Sequence, residues 1–340
     1  MDDKKLKNVT IYENHIGIDL ILHKDAQGQT LGCLGAYVLD IENDEIHAYR
    51  ARYTILSTGG AGKVYLITTN PDIATGDGIA MAYQGYPMLQ TARQLLLEEK
   101  AIGAIRKIVA RYPLGWLAQR LETAGNKQAG WRTDPRRCGP AGCLIDLGIH
   151  CFYVTEWLSG LAVSEVCADL RPTVPGRILD DDCSVLARFT GGARGVFLAS
   201  QIATGRHDGL SIELMGDRGA MAWSQREPDR LLMRDIDGAE RLLTGGNAAT
   251  DMLAGPGPFG SDSAYITALA ATYKAYADYL DAVTAKKGAA ASTRGFMTIE
   301  DGLRSVVFVD AVLRNCAAPE DPAPPPPKWT PVVVPPIPEL

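Results

Sequence analysis

No run of about 18 apolar residues occurs anywhere in the 340-residue chain, so a membrane-crossing helix is not expected. The opening stretch MDDKKLK lacks the apolar core of a secretory signal, which makes the cytoplasm the default location. Positive charge is also in short supply. With 34 Lys and Arg against 40 Asp and Glu, the net charge of −6 argues against nucleic acid or anionic membrane as partners, since both are bound through basic patches. Cysteine pairing is missing as well. The 7 cysteines are odd in number and scattered, and Cys138, Cys143 and Cys151 lack Cys-x-x-Cys spacing, so neither a disulfide framework nor a metal site is expected. Nor does any Ser/Gly or charged run mark a linker between domains.

What is present suits an ordinary folded protein. At 46% hydrophobic and 22% charged residues, the chain can bury a sizeable core and should hold about two domains. Its densest chemistry lies between Asn126 and His150, NKQAGWRTDPRRCGPAGCLIDLGIH. A helix beginning near Leu144 would project Asp146 and His150 from one face, four residues apart, where a carboxylate can orient an imidazole. Gly148 between them leaves room for a ligand near the backbone. An imidazole titrating near neutrality is a natural proton acceptor for an alcohol under oxidation, while Trp131 and Arg132 can supply an apolar wall and an oxygen-binding fork. The same residues also fit a helix start with a capped Asp and a packed His.

The remainder divides into two styles. Asn8–His15 is a strand candidate, residues 32–58 read as two or three strands turning at Glu42-Asn43-Asp44, and residues 76–84 start a helix. Beyond Tyr86, residues 87–101 have helical spacing and residues 104–113 alternate as a strand. Residues 146–160 then read as a helix. Strands follow at 163–174, at 183–189 with 195–203 across Thr190-Gly191-Gly192, and at 210–215 with 220–224 across residues 216–219. Helices return at 264–286 and 298–316. Runs of strands followed by runs of helices indicate an α+β fold, with an antiparallel-rich sheet and helices on one face.

Several motifs are discounted. Gly255-Pro-Gly257-Pro-Phe-Gly260 matches Gly-x-Gly-x-x-Gly literally, but its prolines remove freedom and a donor and no strand precedes it, so a loop is expected. Asp180-Asp181-Asp182 is read as a turn and solvated edge, His207 as surface loop, and the Pro-rich tail 319–340 as polyproline II.

From Gly85 to about Trp329 the chain resembles the C-terminal, substrate-binding domain of the Gfo/Idh/MocA oxidoreductases. The matching pieces are GAIRKIVARYPLGWLAQRLE, NKQAGWRTDP, Asp146-x-Gly148-x-His150, RILDDDCSVLARFTGGARGVFLASQIATG, IELMGDRGAMAW and TIEDGLRSVVFVDAVL. This resemblance implies NAD(P)-linked oxidation of a sugar or polyol hydroxyl, with His150 as proton acceptor, Asp146 as its orienter, and Lys127, Trp131 and Arg132 as substrate contacts. Residues 8–83, through LSTGGAGKVYLITTNPDIATGDGIAMAYQ, resemble L-aspartate oxidase and the wider succinate dehydrogenase and fumarate reductase flavoproteins. There Gly59, Gly60, Asp77 and Gly78 are implied as FAD contacts, within a partial FAD-binding fragment.

The expectation is therefore a chimera: an aspartate-oxidase-like fragment over 1–84, a Gfo/Idh/MocA-like domain over 85–318, and a Pro-rich tail over 319–340. Both dinucleotide sites read as incomplete, because the Rossmann turn of neither family is recognised and Glu99-Lys100-Ala101 is not the Glu-Lys-Pro segment of the second family. NAD(P) is implied by resemblance and FAD as an alternative. The rival readings are an FAD-dependent amino-acid oxidase activity and a non-catalytic module; a homo-oligomer is expected, since a sheet with one uncovered face tends to find a partner surface.

Overall fold

The computed structural model describes residues 10–24, 30–51, 86–207, 209–244, 256–257, 260–261, 268, 271–272, 274–279, 299–316 and 329–333. The chain divides into two compact units, Met1–Thr58 with Pro335–Leu340, and Gly59–Val334.

The first unit carries an antiparallel meander of β1 (His15–Lys24), β2 (Thr30–Asp40) and β3 (Glu45–Arg50). Its β2–β3 turn falls at the expected polar residues. The Asp40 carboxylate accepts from the backbone N–H groups of Glu42 and Asn43 at 3.0 and 3.2 Å, and Asp44 takes φ 55°, a left-handed conformation open to a short polar side chain. The strand expected over Asn8–His15 is displaced. Residues 10–14 are not strand, and Asn14 at φ 57° breaks the extended chain so that pairing begins only at His15.

The second unit is built on a nine-stranded sheet. Its strands are β4 (Ile105–Pro113), β5 (Val163–Arg171), β6 (Asp182–Phe189), β7 (Arg194–Ser200), β8 (Ser211–Gly216), β9 (Gly219–Ser224), β10 (Arg230–Asp235) and β11 (Glu240–Thr244), with a short Thr330–Pro331 strand at one edge. The order is β11-β10-β9-β8-β4-β7-β6-β5 and then that edge strand, and every pairing is antiparallel except β4 with β7. Alternation explains which side is buried. Cys183, Val185, Ala187 and Phe189 point inward from β6 and Phe197 and Ala199 from β7, while Ser184, Leu186 and Leu198 face outward.

Helices Pro87–Leu97, Ile149–Ser159 and Ile299–Cys316 contribute to the core beside this sheet, as does the helical residue Ala268. Pro87–Leu97 (α1) opens with Pro87, whose fixed φ suits a first helical turn, and buries Met88, Leu89, Ala92 and Leu96. Between α1 and the sheet-proximal segments come two short helices, Lys127–Arg132 (α2) and Pro135–Cys138 (α3). Ile149–Ser159 (α4) is buried nearly all round, and Ile299–Cys316 (α5) stacks Phe308 on Phe152 of α4 at 4.3 Å and sets it edge-on to Phe197 of β7 at 5.9 Å. Burial of a side chain such as Phe308 stabilises by roughly 1.5–3 kcal/mol.

Two sequence expectations are revised here. The Pro-Gly stretch at 255–260 is not wholly loop, since Pro256–Gly257 (β12) pairs antiparallel with Gly260–Ser261 (β13). Part of the tail is an edge strand rather than polyproline II: Thr330–Pro331 (β14) pairs with β5, and the Val332 N–H donates to the Ser164 carbonyl at 2.8 Å. Proline is tolerated at such an edge because its missing donor leaves no ladder bond broken inside the sheet. The expected helix at 264–286 lies largely outside the described residues, and that at 76–84 entirely so.

Candidate functional site

The segment 126–150 is held by caps at its start. The Asn126 side chain accepts from the N–H groups of Gln128 and Ala129 at 3.0 and 3.1 Å, opening α2, and Asp134 accepts from the Arg136 N–H at 3.0 Å, opening α3 behind Pro135. The chain then enters a π-helical turn, Leu144–Gly148, which runs directly into α4. Asp146 therefore sits on a widened turn and His150 at the second position of a regular helix. Such single π-turns inside helices are frequent at functional sites, because the inserted residue re-aims the side chains around it.

A buried acid, Asp180, fixes the start of this turn. Asp180 Oδ1 accepts from the Gly142 N–H at 2.6 Å, Oδ2 from the Leu144 N–H at 2.8 Å, and the Asp180 carbonyl from the Cys143 N–H at 2.9 Å. A Cβ at Gly142 would stand 2.5 Å from the Asp180 carbonyl oxygen, so only glycine permits this approach. Next to it, Asp181 accepts from the Thr173 and Val174 N–H groups and from Arg177 Nη1 at 3.2 Å. The solvated-edge reading of these acids is thus corrected: Asp180 and Asp181 are both buried, their charges answered by backbone donors and a buried guanidinium.

The side chains that converge are Arg132, Asp146, Trp131 and Gln201. Asp146 accepts from Arg132 Nε through Oδ1 at 3.1 Å and from Gln201 Nε2 through Oδ2 at 2.8 Å. Arg132 Nη1 donates to Gln128 Oε1 at 2.5 Å, Trp131 Nε1 donates to the same oxygen at 3.1 Å, and the guanidinium lies 4.1 Å from the Trp131 ring centre and 5.6 Å from that of Trp116. Arg132, expected as a fork for substrate oxygen, spends these donors on Asp146 and Gln128. Lys127 is exposed at the first position of α2.

His150 is 4% exposed, with its ring edge-on to Tyr112 at 5.6 Å. Burial pulls its pKa down to about 4, against the opposing charge of Asp146 and a hydrogen bond to the Asp146 backbone carbonyl. The imidazole is consequently neutral at pH 7, and the same burial makes it a weaker base than a free imidazole. Asp146 acts on it through that carbonyl and through space, while its carboxylate is oriented by Arg132 and Gln201.

His207 is exposed in a loop, where it forms an isolated bridge with Leu114 at the end of β4. Gly59, Gly60, Asp77 and Gly78 lie outside the described residues. Among the described residues no group of three His, Cys, Asp or Glu is arranged to hold a metal ion, and no helix is long and apolar enough to cross a membrane. A hollow of about 590 Å³ lined by Leu97, Lys100, Ile105, Asp217 and Arg218 lies by the start of β4, away from these side chains. Sequence reasoning missed Gln201, Asp180, Trp116 and Tyr112. The one available signal was their position close to strand ends, Tyr112 and Trp116 at the end of β4, Gln201 just after β7 and Asp180 just before β6.

Comparison with known proteins now adds the class. Residues 89–222 match the family model of the GFO/IDH/MocA C-terminal domain, and residues 2–94 match that of an FAD binding domain, so the two ranges meet on α1. L-aspartate oxidase of Acinetobacter baylyi is 53% identical over 83 residues, covering 24% of this chain and 15% of that protein. An inositol dehydrogenase homolog from Azotobacter vinelandii, solved with NAD+, superposes with a TM-score of 0.61 at 23% identity, covering 69% of this chain and 61% of that one. An oxidoreductase from Sinorhizobium meliloti gives a TM-score of 0.53 at 30% identity, with 69% and 61% covered. The chain thus spans a small part of the aspartate oxidase and less than two thirds of these dehydrogenase-type structures.

The matches relate the chain to two kinds of oxidoreductase, each over only part of its length. Its make-up is composite: an FAD-binding-domain segment similar to L-aspartate oxidase, followed by an α+β domain of the Gfo/Idh/MocA C-terminal type.

Proposed function

We propose that the chain takes part in NAD(P)-linked oxidation of a sugar or polyol hydroxyl, with His150 accepting the hydroxyl proton and Asp146 orienting it. The observation that carries this reading is a neutral, buried imidazole one helical turn after a carboxylate that is itself held by Arg132 and Gln201. A hydroxyl brought to the ring would meet a neutral imidazole, and formation of the imidazolium would depend on Asp146 offsetting the burial that otherwise disfavours it. Trp131 and Trp116 form an apolar flank, and Lys127 stands at the rim as a substrate contact. The Azotobacter protein was solved with NAD+, and a related solved structure, a levoglucosan dehydrogenase, with NADH and levoglucosan. Among the described residues no glycine-rich turn joins a strand to a helix N-terminus in the way a pyrophosphate requires, so the reading concerns the proton and the hydroxyl alone.

The second reading, an aspartate-oxidase-like flavoprotein activity, draws on the 53% identity of the N-terminal segment. Its proposed contacts are Gly59, Gly60, Asp77 and Gly78. A protein-bound flavin absorbance after purification would favour it, and none is expected. The first reading is tested by following NAD(P) reduction with a panel of inositols and sugars, with a Gfo/Idh/MocA nucleotide-binding domain supplied on a second chain. Activity that disappears in His150→Ala supports it; equal activity in both overturns it.

A further inference from the structure

The geometry points to Asp180 as the positioning residue of this site, an inference that rests on the proposed role of His150. Three successive backbone donors, those of Gly142, Cys143 and Leu144, terminate on this one residue, through Oδ1, the carbonyl and Oδ2 at 2.6, 2.9 and 2.8 Å. They are the donors that open the π-turn. An α-type bond leads into the turn, from the Asp146 N–H to the Gly142 carbonyl at 3.0 Å, and the π-type bond closes it from the Ile149 N–H to the Leu144 carbonyl. The direction in which Asp146 and His150 leave the turn is therefore set by an acid 36 residues from Leu144.

The neighbouring residue secures the opposite side. The Asp181 carbonyl accepts from the Gln201 N–H at 2.9 Å, and the Gln201 amide donates to Asp146 Oδ2 at 2.8 Å. Asp181 is anchored in turn by Arg177, which also bonds Glu122 at 3.2 Å. Two consecutive residues thus hold Asp146 from both sides, Asp180 through the backbone that carries it and Asp181 through the amide that grips its carboxylate. Burial raises the Asp180 carboxyl above its ordinary value, and the hydrogen bonds from the Gly142 and Leu144 N–H groups offset that only in part. An amide cannot replace it, because one oxygen is available where two N–H groups must be accepted.

The test reads His150 without relying on turnover. In full-length protein carrying labelled histidine, the His150 resonance is titrated in the parent, in Asp180→Asn and in Asp182→Asn, a strand position outside these contacts. Asp180→Asn should move the His150 midpoint upward by about one pH unit as the loosened turn admits water, while Asp182→Asn leaves it in place. Asp180→Glu, with its longer stem, should fail to restore it. A folded Asp180→Asn with the parental midpoint overturns the proposal. Hydrogen exchange on the parent stands independently of any variant's folding: the Gly142, Cys143 and Leu144 amides should exchange at least about 10³-fold more slowly than free amides, and free exchange there also overturns it. Activity of His150→Ala equal to the parent would sink the proposed function while leaving this positioning result to stand or fall by the resonance.

Discussion

Arg132 and Asp146, 14 residues apart in sequence, form an ion pair with Nε 3.1 Å from Oδ1, and each side chain is 23% exposed. The guanidinium is not a free-standing cation, because Gln128 and the rings of Trp131 and Trp116 fix its plane. The pair joins α2 to the π-turn.

Replacing Arg132 by Ala should therefore loosen Asp146 and lower stability by about 1.5–3 kcal/mol, the range for a hydrogen bond to a charged group. Arg132→Lys should recover little, since an ammonium cannot reproduce donation from Nε and Nη1 to two different acceptors. Urea denaturation of the two variants checks this, and full recovery by Lys would show that charge alone matters.

Loss of the base should cost more than loss of its orienter. His150→Ala is expected to reduce turnover by about 10²–10⁴-fold, and Asp146→Asn by less. Steady-state rates on the best polyol or sugar found in the panel provide the comparison; an Asp146→Asn defect larger than that of His150→Ala contradicts the assigned roles.

Stability should depend on pH through His150. Its folded pKa of about 4 lies below the ordinary 6.5, so the unfolded chain binds a proton in this window that the folded chain does not. Its contribution is fully present above pH 6.5, declines as pH falls, and is lost by about pH 4, amounting to roughly 3 kcal/mol. Subtracting the pH profile of His150→Phe from that of the parent isolates this term. Parallel profiles between pH 4 and 6.5 would contradict a buried neutral imidazole.

Phe308→Ala should destabilise by about 3–5 kcal/mol, because it removes a fully buried ring that contacts both Phe152 and Phe197. Thermal or urea unfolding measures the loss. A change below about 1 kcal/mol would mean that α5 does not pack as described.

The outward side of the sheet carries Leu186 and Leu198, 48% and 38% exposed, on adjacent strands β6 and β7. We propose that this face supports self-association, and Leu186→Glu with Leu198→Lys should reduce it. Light scattering over a wide concentration range checks the parent and the double variant; a parent that stays monomeric throughout rejects the proposal.

Local order was legible in the sequence wherever one residue and its near neighbours set the outcome. Alternation gave β4, β6 and β7 to within a few residues, helical spacing gave α1 and α5, and the acidic-polar trio at 42–44 marked its turn. The strands β10 and β11 escaped because they are short and ionic at their ends, with Arg234 bonded across to Glu240 at 2.7 Å, so that no long apolar alternation announces them. Residue chemistry likewise singled out Asp146 and His150 from their spacing in one segment. Which groups hold them was a different matter. Gln201 meets Asp146 across 55 residues and Asp180 meets Leu144 across 36, and an acidic run that reads as solvated becomes interior once backbone donors close around it. Periodicity encodes only which side of an element is buried. The identity of a distant hydrogen-bond partner is decided by tertiary packing, where leaving a buried donor or carboxylate unanswered costs more than almost any local preference can offset.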